Sequence, residues 1–578
     1  MIPRQNGARL NTFFGLTVLV LMVFSARLFQ IQGIDASGWA AMASSAASQE
    51  SVIPAMRGDI LDRNGEVLAG TIDAVAITAD PTMTAAEAPR IAKIITSHLN
   101  NKTDYFALVE TLRKPGTRFV YVERRIPKWK AAKITDELRE QKLVGIFTEA
   151  ETLRTYPGGS LAANAVGFLD GSGVGVAGIE RSFQEVLAGK DGVRNFSMSP
   201  QGERLPQGKT SVVEAVPGQS VMTTIDRDLQ WYADQRLAET VRNSRANWGL
   251  AITLDVTNGE VLHLSQYPTF NPDKRKNMTS DRTVSRAVQT VFEPGSVQKV
   301  LTMATLVDEG KLNAETKFKV PGKIDVGGFT ITDAWDHGTL KLTTAGVLAK
   351  SSNLGTIIAA RQLTPEQMHA GLTKFGLGSK TGIELPGESR GILNDAKDWR
   401  EANQATISFG QGVSVTAMQM VSAVGAVGNK GVLVKPTIVK GVINEDGDIE
   451  KKEPESQRVI SEAAATEMLR MMEMTVSDEG TSPMAKIPGY RVAGKSGTAW
   501  RINPETGNYA RGQYTVSFVG IAPADNPRFV TLVVIDNARG GSGGVTAAPV
   551  FQDIMSAALQ RYAVLPTGAK REKTPLTW

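Results

Sequence analysis

Hydrophobic and polar positions change their spacing several times along the chain, and each pattern predicts a different element. The run from Leu10 to Ala26 contains no charged side chain. Continued through Ile31, it would form a helix of about 33 Å, long enough to cross a bilayer. Arg27 can extend its side chain to the interface at the far end. Because Arg4 and Arg9 precede the run, the positive-inside rule predicts that the rest of the chain lies outside the cytoplasm.

A cleaved signal peptide is the alternative interpretation of this run. The nearest small-x-small site, Ala41-Met42-Ala43, lies too far downstream for that, so a retained anchor is favoured. We therefore expect a cytoplasmic tail over residues 1–9, a transmembrane helix over 10–31 and a juxtamembrane stalk, rich in Ala and Ser, over 32–55.

Residues 56–222 mix short strand-like and helix-like patterns. The alternation from Ala74 to Thr78 indicates a strand, whereas the spacing from Trp129 to Gln141 indicates a helix. Turns rich in glycine and proline, such as Tyr156 to Gly159, separate the pieces. We predict an α+β module assembled from short elements.

From residue 223 the elements become longer. The span from Asp226 to Arg245 has an amphipathic helical pattern. Two predicted hairpins follow far apart in the chain: Leu250–Val256 with Val261–Gln266 around an Asn-Gly turn, and Thr515–Ile521 with Phe529–Ile535. The chain between them is largely helical. This arrangement predicts one antiparallel sheet covered by helices over residues 223–562, followed by a polar, basic tail over 563–578.

The composition limits the kinds of catalysis and binding that the chain can perform. The 578 residues exceed the usual size of one hydrophobic core, so one module can carry chemistry while another positions it. There is no cysteine, which excludes thiolate catalysis and cysteine metal ligands. The four histidines are not spaced to share a helix face, so few residues are available for a metal site. The net charge of +5 comes without long Lys/Arg blocks, which argues against nucleic-acid binding. We expect no metal and a general base other than histidine.

The segment from Glu293 to Lys299 carries the sharpest local signal. Pro294 and Gly295 interrupt the chain, and the apolar run that follows predicts a helix beginning near Ser296. Residues three apart share a helix face, so Lys299 can present its amine to the Ser296 hydroxyl. A serine becomes a good nucleophile only when a base takes its proton, and an amine does so only when it is neutral. Burial, a helix N-terminus or a second cation would each favour that state.

Two further motifs follow along the chain. Ser351-Ser352-Asn353 would by itself be an ordinary polar turn. Lys495-Ser496-Gly497-Thr498 comes directly after a predicted strand from Tyr490 to Gly494, and Gly497 would let a substrate backbone approach a sheet edge closely. Ser-x-x-Lys alone more often marks a helix cap with a solvated lysine. The three motifs in this order are much less ordinary than any one of them.

Together these motifs match the set found in penicillin-binding proteins and β-lactamases. The chain resembles a class B penicillin-binding protein from its anchor to about residue 562. Arg57 to Ala69, Arg154 to Gly158 and Gly178 to Glu180 resemble motifs of the family's non-catalytic, dimerisation or pedestal domain, which we expect over 56–222. The resemblance implies a transpeptidase domain over 223–562. The N-terminal half does not resemble the glycosyltransferase of class A proteins, so we expect no glycan polymerisation.

The resemblance also implies a role for each motif residue. Ser296 would attack the penultimate D-alanine carbonyl of a stem peptide ending in D-Ala-D-Ala, and β-lactams would acylate the same hydroxyl. Lys299 would be the base, Ser351 a proton relay, and Asn353 the group that holds the donor amide and orients Lys299. Lys495 would supply the cation that keeps Lys299 neutral. Ser496, Gly497 and Thr498 would bind the substrate carboxylate, and the amides of Ser296 and Thr498 would form the oxyanion hole. No cofactor is implied.

Within class B, the opening motif followed by Ala79-Asp80-Pro81, and the stretch from Tyr156 to Phe168, look more like the septal, cell-division type than the elongation type. The septal type implies a SEDS-family glycosyltransferase and divisome membrane proteins as partners. The elongation type stays open as an alternative. So does a β-lactamase or D,D-carboxypeptidase, which uses the same motifs but needs water positioned for deacylation. A non-enzymatic scaffold or β-lactam sensor is the third possibility.

Overall fold

The computed structural model describes residues 6–34, 48–99, 103–197, 211–451, 453–502, 506 and 508–578. Contacts divide the chain into two compact units, each built from separate segments. The first comprises residues 1–56, 73–153 and 189–217, and the second comprises 57–72, 154–188 and 218–578. Both combine helices with mainly antiparallel sheets, which confirms the predicted α+β class. The predicted domain ranges 56–222 and 223–562 stay a prediction.

The N-terminal apolar run forms a helix, as predicted. It extends over Asn6–Phe29 and continues into a π-helical turn, Gln30–Ile34. Within the described residues, Gly7–Ile34 is the one helix long and apolar enough to cross a membrane. Most of the predicted stalk lies outside the described residues, and its last part, Ser48–Ile53, is a strand.

The first unit contains two groups of strands. Ser48–Ile53, Gly192–Ser197 and Ser211–Val213 form an antiparallel sheet. Val67–Ala79 pairs with Val120–Pro127 and with Ile146–Thr155. The helices of this unit are Pro81–Thr84, Ala88–His98, Tyr105–Leu112 and Lys128–Glu140. Its core is aliphatic, with Ile77, Ile91, Ile95, Leu112 and Ile134 fully buried. The helix predicted over 129–141 and the strand predicted over 74–78 are therefore present.

A five-stranded antiparallel sheet forms the centre of the second unit. Its order is Val261–Tyr267, Trp248–Asp255, Phe529–Asp536, Tyr509–Ala522 and Ala493–Ile502. The first predicted hairpin supplies one end of the sheet and the second supplies the two strands beside it, although the hairpins are more than 200 residues apart in the chain. The turn between the first two strands contains Gly259 at φ +75°, as an Asn-Gly hairpin turn requires.

Helices cover both faces of this sheet. Along Phe529–Asp536 successive side chains enter different cores: Leu532 and Val534 join one, Val533 and Ile535 the other. One face packs against Arg227–Asn243 and Ala548–Arg561, and the other against Ala417–Gly428 and Glu462–Thr475. A strand buried on both faces is expected to be largely apolar, and this one is buried throughout and apolar except at Thr531 and Asp536. The predicted sheet covered by helices is confirmed.

The remaining elements of the second unit are short. The further helices are Ala163–Val166, Gly178–Ser182, Gln184–Ala188, Ser280–Thr283, Arg286–Gln289, Gln298–Asp308, Thr344–Ala349, Asn353–Ala360, Pro365–Lys374 and Glu401–Ser408. The further strand pairs are Phe168–Leu169 with Gly175–Ala177, Val291–Phe292 with Val415–Thr416, Lys317–Val320 with Leu340–Thr343, Ile324–Val326 with Phe329–Ile331, and Val432–Val434 with Ser456–Arg458. A second sheet contains, in order, Ile449–Lys451, Val439–Ile443, Ser220–Thr223, Ile60–Leu61 and the first part of Val67–Ala79, which pairs with Ile60–Leu61.

Two details differ from the sequence predictions. The strand expected over 490–494 runs over Ala493–Ile502, because its backbone pairs with Tyr509–Ala522 along its whole length, so the Lys495 motif lies inside the strand. The end of the tail is not a free polar segment. Leu576 is buried in the main core, Thr577 pairs with Leu342, and the Trp578 ring lies near two lysine amines, at 5.3 and 5.1 Å.

A buried charge cluster joins the three N-terminal motifs within the second unit. The Glu180 carboxylate accepts hydrogen bonds from Arg57 and Arg154, each at 2.7 Å, and from the Tyr156 hydroxyl at 3.2 Å. Its side chain is completely buried, and both arginines are nearly so. Arg154 also donates to the carbonyl of Gly58. The three motifs are therefore held to one another by buried ion pairs, in keeping with the scaffold role that the resemblance implies.

We expect Glu180→Ala to destabilise the protein by about 3–5 kcal/mol, because it leaves two buried guanidinium groups without a counter-charge. Thermal unfolding of the detergent-solubilised chain, followed by circular dichroism, measures this. Glu185→Ala is the control, since Glu185 is exposed. Equal melting temperatures for the two variants would show that the cluster does not stabilise the fold.

Candidate active site

Close backbone contacts fix the turn that carries Ser296. Gly295–Val297 forms one 3₁₀ turn that runs directly into the helix Gln298–Asp308, as the sequence predicted. The Gly295 amide donates to the Gly410 carbonyl at 3.0 Å. Ser296 is half-buried, and its hydroxyl makes no hydrogen bond to any residue that the structure describes. The hydroxyl is therefore available to a ligand.

The segment around Gly410 packs closely against this turn. Gly410 has φ +92°, and a Cβ there would lie 2.0 Å from the carbonyl oxygen of Gly295, so only glycine fits. The neighbouring Gly412 amide donates to the Glu293 carboxylate, which also accepts from the Tyr509 hydroxyl at 3.1 Å. Burial raises the pKa of Glu293. These contacts lock the chain on both sides of the serine.

Lys299 lies one helical turn after the serine and is completely buried. Its amine donates to the Ser351 carbonyl at 2.6 Å, to Asn353 Oδ1 at 2.8 Å and to the Ser351 hydroxyl at 3.3 Å. Within the described part of the chain, no hydrogen bond joins this amine to Ser296. Catalytic hydrogen bonds are often long in a site without ligand and shorten when substrate binds. The second motif thus holds Lys299 one helical turn after the Ser296 turn, Gly295–Val297.

Ser351 connects the second motif to the third. Its hydroxyl accepts a hydrogen bond from the Lys495 amine at 2.9 Å, and Lys495 also donates to the Ser496 carbonyl at 3.0 Å. Ser351 has φ +60°, an unfavourable backbone conformation for a residue with a side chain. Such strain is characteristic of functional sites. It turns both the carbonyl and the hydroxyl of Ser351 toward lysine amines.

The charge state of the two lysines follows from their burial. Burial lowers the pKa of Lys299 to about 7, against the opposing effect of Asp333. Burial and the nearby Lys299 lower the pKa of Lys495 well below its ordinary value. Repulsion between the two amines disfavours a state in which both are charged. An amine that is partly neutral near pH 7 can accept a proton from a serine.

The third motif lies on the edge strand Ala493–Ile502, next to the turn Gly295–Val297. A Cβ on Gly497 would come 2.8 Å from the Pro294 carbonyl oxygen, and one on Gly295 would come 2.9 Å from that of Thr498. Glycine at 497 thus allows the strand to pack against the turn. Ser496 exchanges a hydrogen bond with the Thr481 hydroxyl at 3.2 Å, while Thr498 is exposed. The strand forms one wall beside Ser296.

Sequence reasoning missed several residues of this site. Asp333 accepts hydrogen bonds from the second motif, Thr481 contacts Ser496, and the Gly543 amide points at the Thr498 hydroxyl at 3.5 Å. All three lie far in sequence from the residues they contact, and none belongs to a recognisable motif. Asp333 and His337 are spaced four apart, which is too common a pattern to single them out.

The arrangement fits acyl transfer. The half-buried Ser296 lies one turn before Lys299 in the same helical segment, and the Ser351 hydroxyl joins the two buried amines; serine acyl transfer without histidine needs groups of these kinds. Across the described ranges, no group of three or more His, Asp or Glu side chains is placed to hold a metal ion. The predicted residues Lys299, Ser351, Asn353 and Lys495 form one hydrogen-bonded cluster.

Two protein families match this chain. The family described as penicillin binding protein transpeptidase domain matches residues 249–556, which contain all three motifs. The family described as penicillin-binding protein dimerisation domain matches residues 52–223.

Individual proteins are similar over nearly the whole chain. Penicillin-binding protein PbpB of Mycolicibacterium smegmatis is 39% identical over 581 residues, covering 94% of this chain and 89% of the relative. The probable peptidoglycan D,D-transpeptidase PbpC of Pseudomonas aeruginosa is 30% identical over 572 residues, covering 98% and 97%. The crystal structure of penicillin binding protein 3 from Mycobacterium tuberculosis in complex with aztreonam superimposes with a TM-score of 0.71 at 34% identity, covering 91% of this chain and 100% of that one.

Proposed function

Because the chain belongs to the class B penicillin-binding proteins, which are peptidoglycan D,D-transpeptidases, we propose that it cross-links stem peptides through an acyl-enzyme on Ser296. The observation that carries the proposal is the position of the Ser351 hydroxyl, 3.3 Å from the Lys299 amine and 2.9 Å from the Lys495 amine. These three residues are far apart in the sequence, and the fold brings them together behind the nucleophile turn.

Acylation follows from this geometry. Ser296 Oγ attacks the carbonyl carbon of the penultimate D-alanine while the neutral Lys299 amine takes the hydroxyl proton. The tetrahedral oxyanion accepts hydrogen bonds from the backbone amides of Ser296 and Thr498. The C–N bond to the terminal D-alanine then breaks, and a proton relayed through the Ser351 hydroxyl neutralises the departing amine. The product is a Ser296 ester and free D-alanine.

Cross-linking reverses these roles. The amine of a neighbouring stem peptide attacks the ester carbonyl, loses a proton to the Lys299 side of the site and expels Ser296 Oγ, which regains its proton. Asn353 holds the donor amide and orients Lys299. Before acylation, Ser496, Gly497 and Thr498 bind the terminal carboxylate of the donor, and Lys495 supplies the cation that keeps Lys299 neutral. No cofactor takes part in the proposed reaction.

Hydrolysis is the competing activity, and labelled penicillin distinguishes it from transpeptidation. A transpeptidase keeps the bound label far longer than a β-lactamase needs for one turnover. The reason is that no water is positioned to cleave its acyl-enzyme ester. We expect a long-lived adduct, and a cross-linked dimer from donor pentapeptide plus an acceptor amine. Rapid release of penicilloate without dimer formation would support the β-lactamase or carboxypeptidase alternative.

We also propose that the N-terminal helix is a membrane anchor, with its N-terminus in the cytoplasm and the catalytic domain outside. The helix Gly7–Ile34 and the leading Arg4 and Arg9 support this orientation. Since the chain has no cysteine, single substitutions can report it. In intact cells, an impermeant maleimide should label Ser172→Cys and not Asn6→Cys. The reverse labelling would contradict the orientation.

The proposed cellular role is septal wall synthesis, with 56–222 as the dimerisation or pedestal domain, 223–562 as the transpeptidase domain and no glycosyltransferase activity. The likeness of Arg57 to Ala69, Ala79-Asp80-Pro81 and Tyr156 to Phe168 to the septal type supports it. A SEDS-family glycosyltransferase and divisome membrane proteins are the proposed partners. A fluorescent fusion should locate to midcell, and depletion should yield filaments. Swollen or rounded cells with lateral localisation would favour the elongation type.

A further inference from the structure

The carboxylate of Asp333 lies directly behind the second motif, although the strand Leu340–Thr343 and the helix Thr344–Ala349 separate the two in the chain. Its side chain has no exposed surface. Asp333 Oδ1 accepts hydrogen bonds from the backbone amides of Asn353 and Leu354. Asp333 Oδ2 accepts from the Ser352 hydroxyl at 2.6 Å and faces His337 Nε2 at 3.0 Å. Both carboxylate oxygens thus accept hydrogen bonds, and three of the donors belong to the consecutive residues Ser352, Asn353 and Leu354.

These bonds hold a strained turn in place. Ser351, the residue immediately before the three that Asp333 binds, has φ +60°. A non-glycine residue in this region costs of order 1 kcal/mol or more and persists only when its surroundings fix it. Asp333 fixes the following residues and also lies at the N-terminus of the helix Asn353–Ala360, where a negative charge is favourable. Without the carboxylate, three buried donors would lose their acceptor.

His337 completes the support. Its Nδ1 faces the Gly338 carbonyl at 2.6 Å, and its Nε2 faces Asp333. Both neighbours are hydrogen-bond acceptors, and a ring nitrogen that carries a proton can donate to the acceptor it faces. The imidazole side chain is itself 6% exposed. His337 and Ser352 thus both contact Asp333 Oδ2, which restricts rotation of the carboxylate.

Asp333 is also the acidic group that acts on Lys299. Within the described residues, the charged groups near this amine are Asp333 from the loop after Phe329–Ile331 and Lys495 from the edge strand, and the titratable side chain of His337 lies beyond Asp333. Burial lowers the pKa of Lys299, and the Asp333 charge raises it. Removing that charge would thus lower the pKa of Lys299 further.

We propose that Asp333 is a positioning residue for acyl transfer, which holds Ser351 and Asn353 against the Lys299 and Lys495 amines and places a negative charge behind them. This inference rests on the proposed function of Ser296 and Lys299. It assigns Asp333 no contact with substrate.

Asp333→Asn in the full-length, detergent-solubilised protein tests the proposal. The amide keeps the shape but removes the charge and turns a donor toward groups that donate. We expect the second-order rate of acylation by a fluorescent penicillin at pH 7.5 to fall by about 100-fold, the effect of a small misplacement of catalytic groups. We also expect the acidic limb of the pH–rate profile to move to lower pH, because Lys299 loses the charge that favours its protonated form. Asp336→Asn is the matched control, since Asp336 is exposed in the same loop and should acylate like the unmodified protein.

A normal acylation rate in Asp333→Asn would overturn the proposal. So would a reduced rate with an unmoved acidic limb and a lowered melting temperature, which would indicate a purely structural role. If Asp333→Asn does not fold, Ser352→Ala replaces it, because this variant removes one bond to the carboxylate and keeps the charge. We expect it to acylate about tenfold more slowly with an unmoved limb. An unchanged rate would count against the proposal. Failure of the proposed function is distinct, since then the unmodified protein would form no adduct on Ser296.

Discussion

Replacing Ser296 with alanine is expected to lower both penicillin acylation and transpeptidation by at least about a thousandfold, because the attacking oxygen is removed and no other hydroxyl occupies its place. The hydroxyl of Ser351 is the nearest alternative, but it is held between Lys299 and Lys495 and its backbone is fixed. The substitution removes one exposed polar atom and no hydrogen bond within the described residues, so the melting temperature should be unchanged.

Gel fluorescence after incubation with a fluorescent penicillin measures the first effect, and dimer formation from pentapeptide donors measures the second. Ser379→Ala is the control, because Ser379 is an exposed serine of the same unit. A Ser296→Ala protein that still labels at the rate of this control would assign the nucleophile elsewhere. In cells, a scaffold or sensor would tolerate the alanine, whereas a transpeptidase would not support growth.

Lys299→Met is expected to have the second largest effect, a loss of about 10²- to 10⁴-fold in acylation rate. Methionine has a similar length and suits the buried site, so the change removes the base with little disturbance of packing. In the unmodified protein, burial places the pKa of Lys299 at about 7. The amine must be neutral to accept the proton of Ser296, so the rate should rise as the pH increases through about 7 and fall below it.

The pH profile of acylation from pH 5.5 to 9 checks this, with stopped-flow fluorescence for the fast range. The Met variant should lose the rise near pH 7 together with the rate. Lys311→Met provides the control, because Lys311 is exposed shortly after the same helix ends. A Met variant that keeps both the rate and the inflection would mean that another group is the base.

Local patterns were sufficient to predict much of the fold. The Asn258-Gly259 turn and the alternating runs beside it identified the first hairpin, and the largely apolar run Phe529–Ile535 identified a strand of the second. The helix over Arg227–Asn243 begins after Asp226, whose carboxylate caps it as its position in the sequence indicates. These elements are determined by neighbours a few residues away, and so the sequence reveals them.

Features that depend on distant contacts could not be predicted in this way. The strand Ala493–Ile502 is longer than its apolar part because pairing with Tyr509–Ala522 continues past Lys495. Leu576 is buried although the segment around it is polar, since the core of the second unit accepts it. The importance of Asp333 follows from three donors that lie about 20 residues further along the chain. Nothing in the local sequence distinguishes it from the exposed Asp336.

In the candidate site, too, some features follow from the local sequence and others depend on distant contacts. Motif order indicated that Ser296, Ser351 and Lys495 belong together, and the structure brings Lys299, Ser351 and Lys495 within hydrogen-bonding distance. The sequence did not indicate that the Lys299 amine would donate all its hydrogen bonds to Ser351 and Asn353. That detail depends on the left-handed conformation of Ser351, which only the packing around the turn determines.

Mass spectrometry of the penicillin-treated, full-length protein tests the central claim most directly. Trypsin releases residues 287–299 as one peptide, in which Ser296 is the only serine. The account predicts that this peptide gains the mass of the opened penicillin, that fragment ions assign it to Ser296, and that Ser296→Ala abolishes it. An adduct on any other residue, or an unmodified peptide after saturating treatment, would contradict the account.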